Sequence, residues 1–152
     1  ILLKKYKMNI TNSMRNNNRN IWSRRLAFQA VYSWSINNCD ISDLILIFKS
    51  DENYVKASED HFNLIVNGVI NNISTVDDII SKVSKIEKKK INPIELSILR
   101  CFIFELNNTN IPKNILISES LKLASKFGAQ DSYKMVNAFF EDFLESNYYE
   151  NK

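Results

Sequence analysis

The sequence predicts an all-α protein, a compact bundle of about seven helices, and three observations carry that prediction. Only 2 Gly and 2 Pro in 152 residues leave little of the turn chemistry that a strand-rich fold requires. Apolar residues recur every three or four positions along most of the chain, which is the spacing of one helix face. Ser, Asp, Asn and Pro stand at the junctions where helices need their first turns completed. The 45% hydrophobic and 24% charged residues are ordinary globular values, and the length corresponds to one domain.

Taken in order, residues 1–20 read as a disordered basic arm, Asn-rich and without apolar periodicity, carrying Arg15 and Arg19. The domain proper is expected over 21–146, with 147–152 as a C-terminal tail. Trp22, Leu26, Ala30 and Trp34, with Ala27 and Val31 beside them, form the apolar stripe of a first helix from about Ile21 to Ile36, ended by Asn37-Asn38. Asp40 or Ser42 can cap a second helix through Phe48. Phe62, Ile65, Val66, Val69 and Ile73 mark a third, in which Gly68 costs about 1 kcal/mol of helix propensity and is expected to permit close helix approach. Ser74 or Thr75 can cap a fourth helix carrying Val76, Ile79, Ile80, Val83 and Ile86, and Lys88-Lys89-Lys90 is a charged connection. Asn92-Pro93-Ile94-Glu95 starts a fifth helix, with Asn as N-cap, Pro at N1 and Glu at N3 able to return a bond to the cap amide; it runs to about Leu106. Pro112 opens a sixth, with Leu116, Ser120, Leu123, Ala124 and Phe127 on one side and Gly128 as its stop. Asp131 or Ser132 caps a seventh with a wide apolar face of Val136, Phe139, Phe140, Phe143 and Leu144.

The composition excludes several function classes. Two cysteines, Cys39 and Cys101, are too few for a disulfide framework and fit a reducing cytosol. No apolar run approaches the roughly 20 residues of a membrane span, and Ile1-Leu2-Leu3 is too short for a signal-peptide apolar region, so a soluble cytoplasmic protein is expected, with Met8 or Met14 as candidate starts. The single His61 has no Cys or His partner at metal spacing and is expected to be a plain surface residue. Neither Gly68 nor Gly128 belongs to a phosphate-cradling loop, and Glu105 and Glu119 read as solvated helix faces rather than a catalytic pair. No enzyme, cofactor or metal site is therefore expected.

A nucleic-acid reading has more support, although the net charge of +3 and a pI near 8.8 permit a polyanion without requiring one. Arg24, Phe28 and Tyr32 fall at four-residue intervals on a face turned away from Trp22, Leu26 and Trp34. A guanidinium holds phosphate while a ring stacks an unpaired base, so these rings beside Arg15, Arg19, Arg24 and Arg25 suit single-stranded RNA. The alternative, that Phe28 and Tyr32 widen the buried stripe and the arginines solvate the helix, has equal weight on the residues alone. Lys126, Tyr133, Lys134 and Asn137 cluster at the junction of the sixth and seventh helices, where free amides can receive phosphate; an ordinary turn capped by Asp131 is the competing reading. Lys85 and Lys88 to Lys90 read as a solvated connection outside the site.

Longer motifs narrow the choice. Arg24 to Trp34 reads Arg-Arg-Leu-Ala-Phe-Gln-Ala-Val-Tyr-Ser-Trp, and Phe62 to Val69 reads Phe-Asn-Leu-Ile-Val-Asn-Gly-Val. Pro93 to Arg100 then leads through Phe104-Glu105-Leu106, Ile111-Pro112 and Leu121-Lys122-Leu123-Ala124 to Lys126-Phe127-Gly128 and Met135-Val136-Asn137. In this order, from about Arg24 to Ser146, the sequence resembles the NusB family of transcription antitermination factors. The resemblance implies two helical subdomains and binding to boxA-type RNA together with NusE, a small-subunit ribosomal protein, within the antitermination complex of RNA polymerase that reads through ribosomal RNA operons. It implies RNA contacts for Arg24 and the basic arm and for Asp131, Lys134, Met135 and Asn137, and NusE contacts for Tyr32 and Glu95. Family members occur as monomers and homodimers, so both states stay open. The sequence departs from the family where a run of arginines becomes Asn20-Ile21-Trp22, and where Met135 replaces an aromatic residue. Two alternatives accompany this expectation: a helical protein-interaction module that has lost RNA binding, and a stand-alone relative of the RNA-binding domain of ribosomal RNA cytosine methyltransferases.

Overall fold

A computed structural model describes the backbone of residues 2–152 and side chains from residue 16 onward. Its helices are α1 (Leu2–Asn37), α2 (Ile41–Lys49), α3 (Glu59–Asn71), α4 (Ile73–Val83), α5 (Pro93–Asn108), α6 (Lys113–Phe127) and α7 (Ser132–Glu145). Short 3₁₀ turns at Tyr54–Lys56 and Lys88–Lys90 complete the secondary structure, and no strand occurs among the described residues. The predicted all-α class and the seven helices are as expected.

Several boundaries are set by the residues that satisfy free backbone groups. The Ser58 hydroxyl accepts from the His61 amide at 3.3 Å, and the Asn92 side chain accepts from the Ile94 amide at 2.9 Å with Pro93 opening α5. Asn38 stops α1 in the left-handed region at φ 51°, its amide reaching the Trp34 carbonyl at 2.8 Å. Helix α1 does not begin at Ile21: residues 16–20 continue it, since nothing in Asn16 to Asn20 breaks a helix and the Ser23 hydroxyl closes on the Arg19 carbonyl at 2.8 Å. The arm's earlier side chains, Arg15 among them, lie outside the described residues. Helix α4 starts at Ile73, ahead of the expected Ser74 or Thr75 cap, and Asn72 occupies the N-cap position without a side-chain cap bond.

Helix α5 is the organising element. Every residue from Ser97 to Leu106 is buried, and a helix enclosed all round must sit at the centre of its domain. Helices α1 and α3 pack against it, as do α4, α6 and α7. The core joins Leu26, Val31, Phe62, Ile65 and Val66 from the first group to Val76, Leu116, Val136, Phe140 and Phe143 from the second through Ile98, Leu99 and Phe102. Truncating a fully enclosed ring such as Phe62 or Phe140 would cost about 3–5 kcal/mol.

Gly68 performs the close approach that its position predicts. A Cβ there would lie 2.1 Å from the Phe104 ring, so only a missing side chain lets α3 and α5 meet. At the other end the chain folds back over α5: Asn107 donates to the Tyr148 carbonyl and accepts from the Glu150 amide, both at 2.9 Å, and Tyr149 packs on Phe143.

Candidate nucleic-acid interface

Arg24, read from the sequence as an exposed phosphate ligand, is buried. Its guanidinium forms a fork on Glu105 of α5, Nε to Oε1 at 2.9 Å and Nη2 to Oε2 at 3.2 Å, and His61 Nε2 lies 3.0 Å from the same Oε2. Glu105 is 1% exposed and Arg24 4%, so neither reaches a ligand from solvent. Burial works to raise the Glu105 pKa, but the hydrogen bonds and charges of His61 and Arg24 outweigh it and hold the carboxyl below the usual glutamate range. Three expectations are corrected together: Arg24 is no surface contact, His61 is no plain surface residue, and Glu105 is no solvated face. The physical reason is that α1 is covered by α3 on one side and α5 on another, so its buried arc is wider than a single stripe.

Phe28 is buried for the same cause, 3% exposed, with its ring 5.2 Å from that of Phe127 at the end of α6. It packs α1 against the end of α6 and offers no face to a base. Arg25, one residue beyond Arg24, takes the outer position. Its guanidinium carbon stands 4.5 Å from the Trp22 ring and 5.5 Å from the Phe127 ring, and Lys126 Nζ lies 5.9 Å from Phe127. Arg25 and Lys126, far apart in sequence, are therefore brought to neighbouring positions by one aromatic ring.

The start of α7 is fixed by an unexpected bond. Glu95 does not return to the Asn92 amide; it accepts from the Ser132 hydroxyl at 2.5 Å, and Ser132 is fully buried. Gly128 allows this, because a Cβ there would lie 2.4 Å from the Ser132 side chain. Asp131 occupies the N-cap position without a side-chain cap bond and is exposed, as are Tyr133 and Lys134. Asn137 is half-buried and donates to Glu141 at 3.2 Å. Lys126 and Tyr133 border a groove of about 800 Å³ between α6 and α7, whereas Met135 turns to a separate cavity of about 210 Å³ beside Ile86 and Phe139. Met135 is thus divided from the lysines it was grouped with. Tyr32 is half-buried on α1, and no hydrogen bond among the described residues joins it to Glu95.

Lys82, Lys85, Lys88, Lys89 and Lys90 each face a carboxylate, and Arg100 is locked on Asp77 at 2.8 and 2.9 Å. Among the described residues no ion pair engages Arg19, Arg25, Lys56, Lys126 or Lys134. Arg19, Arg25 and Lys56 lie along α1 and the 3₁₀ turn beside it, and Lys126 and Lys134 at the α6–α7 junction; Lys113 at the start of α6 and Lys152 near the C-terminus are likewise outside any ion pair among the described residues. No helix among the described residues is long and apolar enough to cross a membrane, and no group of three or more His, Cys, Asp or Glu there could hold a metal ion.

The family model for the NusB family matches residues 22–145. The chain belongs to the NusB family. Its curated relatives include the transcription antitermination protein NusB of Hydrogenovibrio crunogenus, 35% identical over 124 residues that make up 81% of this chain and 77% of that protein. The NusB protein of Colwellia psychrerythraea is 34% identical over 120 residues, 78% of this chain and 87% of its own. Among solved structures, T. maritima NusB superposes with a TM-score of 0.69 at 27% identity, covering 83% of this chain and 91% of that one. Sequence reasoning missed Trp22 and Phe127 as site neighbours, because both read as core residues. Their signal was the cation one helical turn or one residue away, Arg25 and Lys126.

Proposed function

We propose that this NusB-family protein is a cytoplasmic transcription antitermination factor that binds boxA-type single-stranded RNA together with NusE and promotes read-through of ribosomal RNA operons. It acts by binding rather than by catalysis. The observation that carries the reading is the meeting of Arg25 and Lys126 across Phe127, which joins the two sequence regions read independently as RNA-facing. Arg19, Arg25, Lys126 and Lys134 supply the charge contacts that position the RNA, and the exposed Tyr133 offers a ring for an unpaired base. Asp131 borders this face, where its carboxylate can accept from a base edge while repelling phosphate. Tyr32 and Glu95 remain the proposed NusE contacts, with Glu95 contributing through the Ser132 bond that sets the start of α7.

A protein-interaction module without RNA binding is the second reading, favoured by the apolar groove between α6 and α7 and by the withdrawal of Arg24 from the surface. Fluorescence anisotropy separates the two, using a boxA-type RNA and a scrambled RNA, with and without NusE, across a salt series. Sequence-selective binding that tightens with NusE and weakens steeply with salt supports antitermination. Salt-insensitive binding, or none with NusE present, overturns it.

A further inference from the structure

Two cations lie against the Trp22 ring. Arg25 Cζ is 4.5 Å and Lys56 Nζ 4.6 Å from its ring, and the chain of contacts continues through Phe127 to Lys126. Cation and ring alternate from the 3₁₀ turn at Tyr54–Lys56, across α1, to the end of α6. The ring is half-buried, so one edge or face remains in reach of solvent, and Lys56 is exposed. Neither Arg25 nor Lys56 is engaged by a carboxylate among the described residues, and the buried Nε of Arg25 has no hydrogen-bond partner there. Two positive charges held against one ring, with no ion pair to either among the described residues, are an arrangement that an incoming polyanion relieves.

We infer that Trp22 is a stacking seat for one unpaired base of single-stranded RNA, with Lys56 and Arg25 taking the adjoining phosphates; this rests on the RNA-binding reading above. The chemistry favours exchange at the ring. Lys56 is an exposed, flexible side chain whose attraction to the ring is weak in water, whereas base stacking on an aromatic side chain is among the stronger contacts made to unpaired strands. A base arriving on the ring displaces the ammonium only as far as the neighbouring phosphate, so the cation is redeployed rather than lost. Arg25 stays in place, held also by the Phe127 ring. Glu59 and Asp60, which line the cavity beside Arg19 and Tyr54, repel phosphate and mark the end of the path on that side. The opposite end leads to Lys126 and the α6–α7 junction.

The test uses the full chain and a boxA-type single-stranded RNA oligonucleotide. The sequence holds 2 tryptophans, so Trp34→Phe leaves Trp22 as the single reporter. Adding RNA is expected to quench Trp22 emission in step with the rise in anisotropy, and a duplex RNA of the same sequence is expected to leave it unchanged. Trp22→Leu, which keeps an apolar side chain at the position, is expected to weaken single-stranded binding by about 5- to 100-fold with the circular dichroism melt retained. Lys56→Gln is expected to lower the slope of log affinity against log salt by about 0.7. Where Trp22→Leu fails to fold, the quenching measurement, made with the ring intact, decides alone. RNA that binds with no change in Trp22 emission, together with unaltered affinity and salt slope in Lys56→Gln, overturns the inference while leaving the RNA-binding reading standing. Absence of RNA binding by the wild-type chain overturns both.

Discussion

Glu105→Gln tests the buried triad most directly, because it keeps the shape of the side chain while removing its charge. Arg24 would then lie 4% exposed with a guanidinium facing a neutral amide, and His61 would lose its carboxylate. Removing one partner of a buried ion pair costs about 3–5 kcal/mol, since the remaining charge stays desolvated. Set against a total stability of about 5–15 kcal/mol, that is a large fraction, and it corresponds to a fall in Tm of about 6–20 °C for a domain of this size. Urea unfolding followed by far-ultraviolet circular dichroism measures it. The double variant Arg24→Met with Glu105→Leu removes both charges at once and is expected to cost less than the sum of the single changes, because no unpaired ion is left behind. The pH dependence has a definite sign. The folded pKa of Glu105 is lowered relative to its unfolded value of about 4.3, so its contribution is fully present above that value and is lost as pH falls through the folded pKa. The wild-type chain should therefore lose stability on acidification below about pH 4 more steeply than Glu105→Gln. A Glu105→Gln variant within about 1 kcal/mol of wild type, with the same acid limb, would refute the assignment of this triad as a stabilising buried network.

Gly68→Ala gains about 1 kcal/mol of helix propensity but drives a methyl into the Phe104 ring, and overpacking of about 1–3 kcal/mol should leave it destabilised in urea, with partial rescue by Phe104→Leu. Burial and, less strongly, the Glu105 carboxylate push the Cys101 thiol far above its usual pKa, with Arg100 opposing them, so a thiol reagent at pH about 8 should titrate only Cys39 in the folded protein and both cysteines in urea. Lys126→Gln and Lys134→Gln should each weaken RNA binding and lower the salt slope by about 0.7, with unfolding midpoints unchanged; a full wild-type slope would remove that lysine from the phosphate contacts. Asp77→Asn should destabilise the fold in urea by about 1–3 kcal/mol, since Arg100, buried at 7% exposure, would keep only a neutral partner.

The helices were legible because their signals are local. Pro93 after Asn92, Gly128 after Phe127 and the four-residue apolar spacing of α1 each act within a turn or two of the residue that shows them. The fate of the polar side chains was not legible for the opposite reason. Arg24 and Glu105 are 81 residues apart, and nothing within reach of either tells that they meet. A helical projection shows how Arg24 and Phe28 stand relative to Leu26, but not that two further helices press on α1 from different sides and carry its buried arc past them. Trp22 shows the same limit in reverse: it fits the periodic stripe and packs against the core, yet its ring is only half-buried and is also met by Arg25 and Lys56. An apolar stripe thus establishes which residues can be buried together, while the ends of the covering helices establish which of them are. In this chain that difference buries an arginine that the sequence placed on the surface and leaves a tryptophan half-exposed beside two cations.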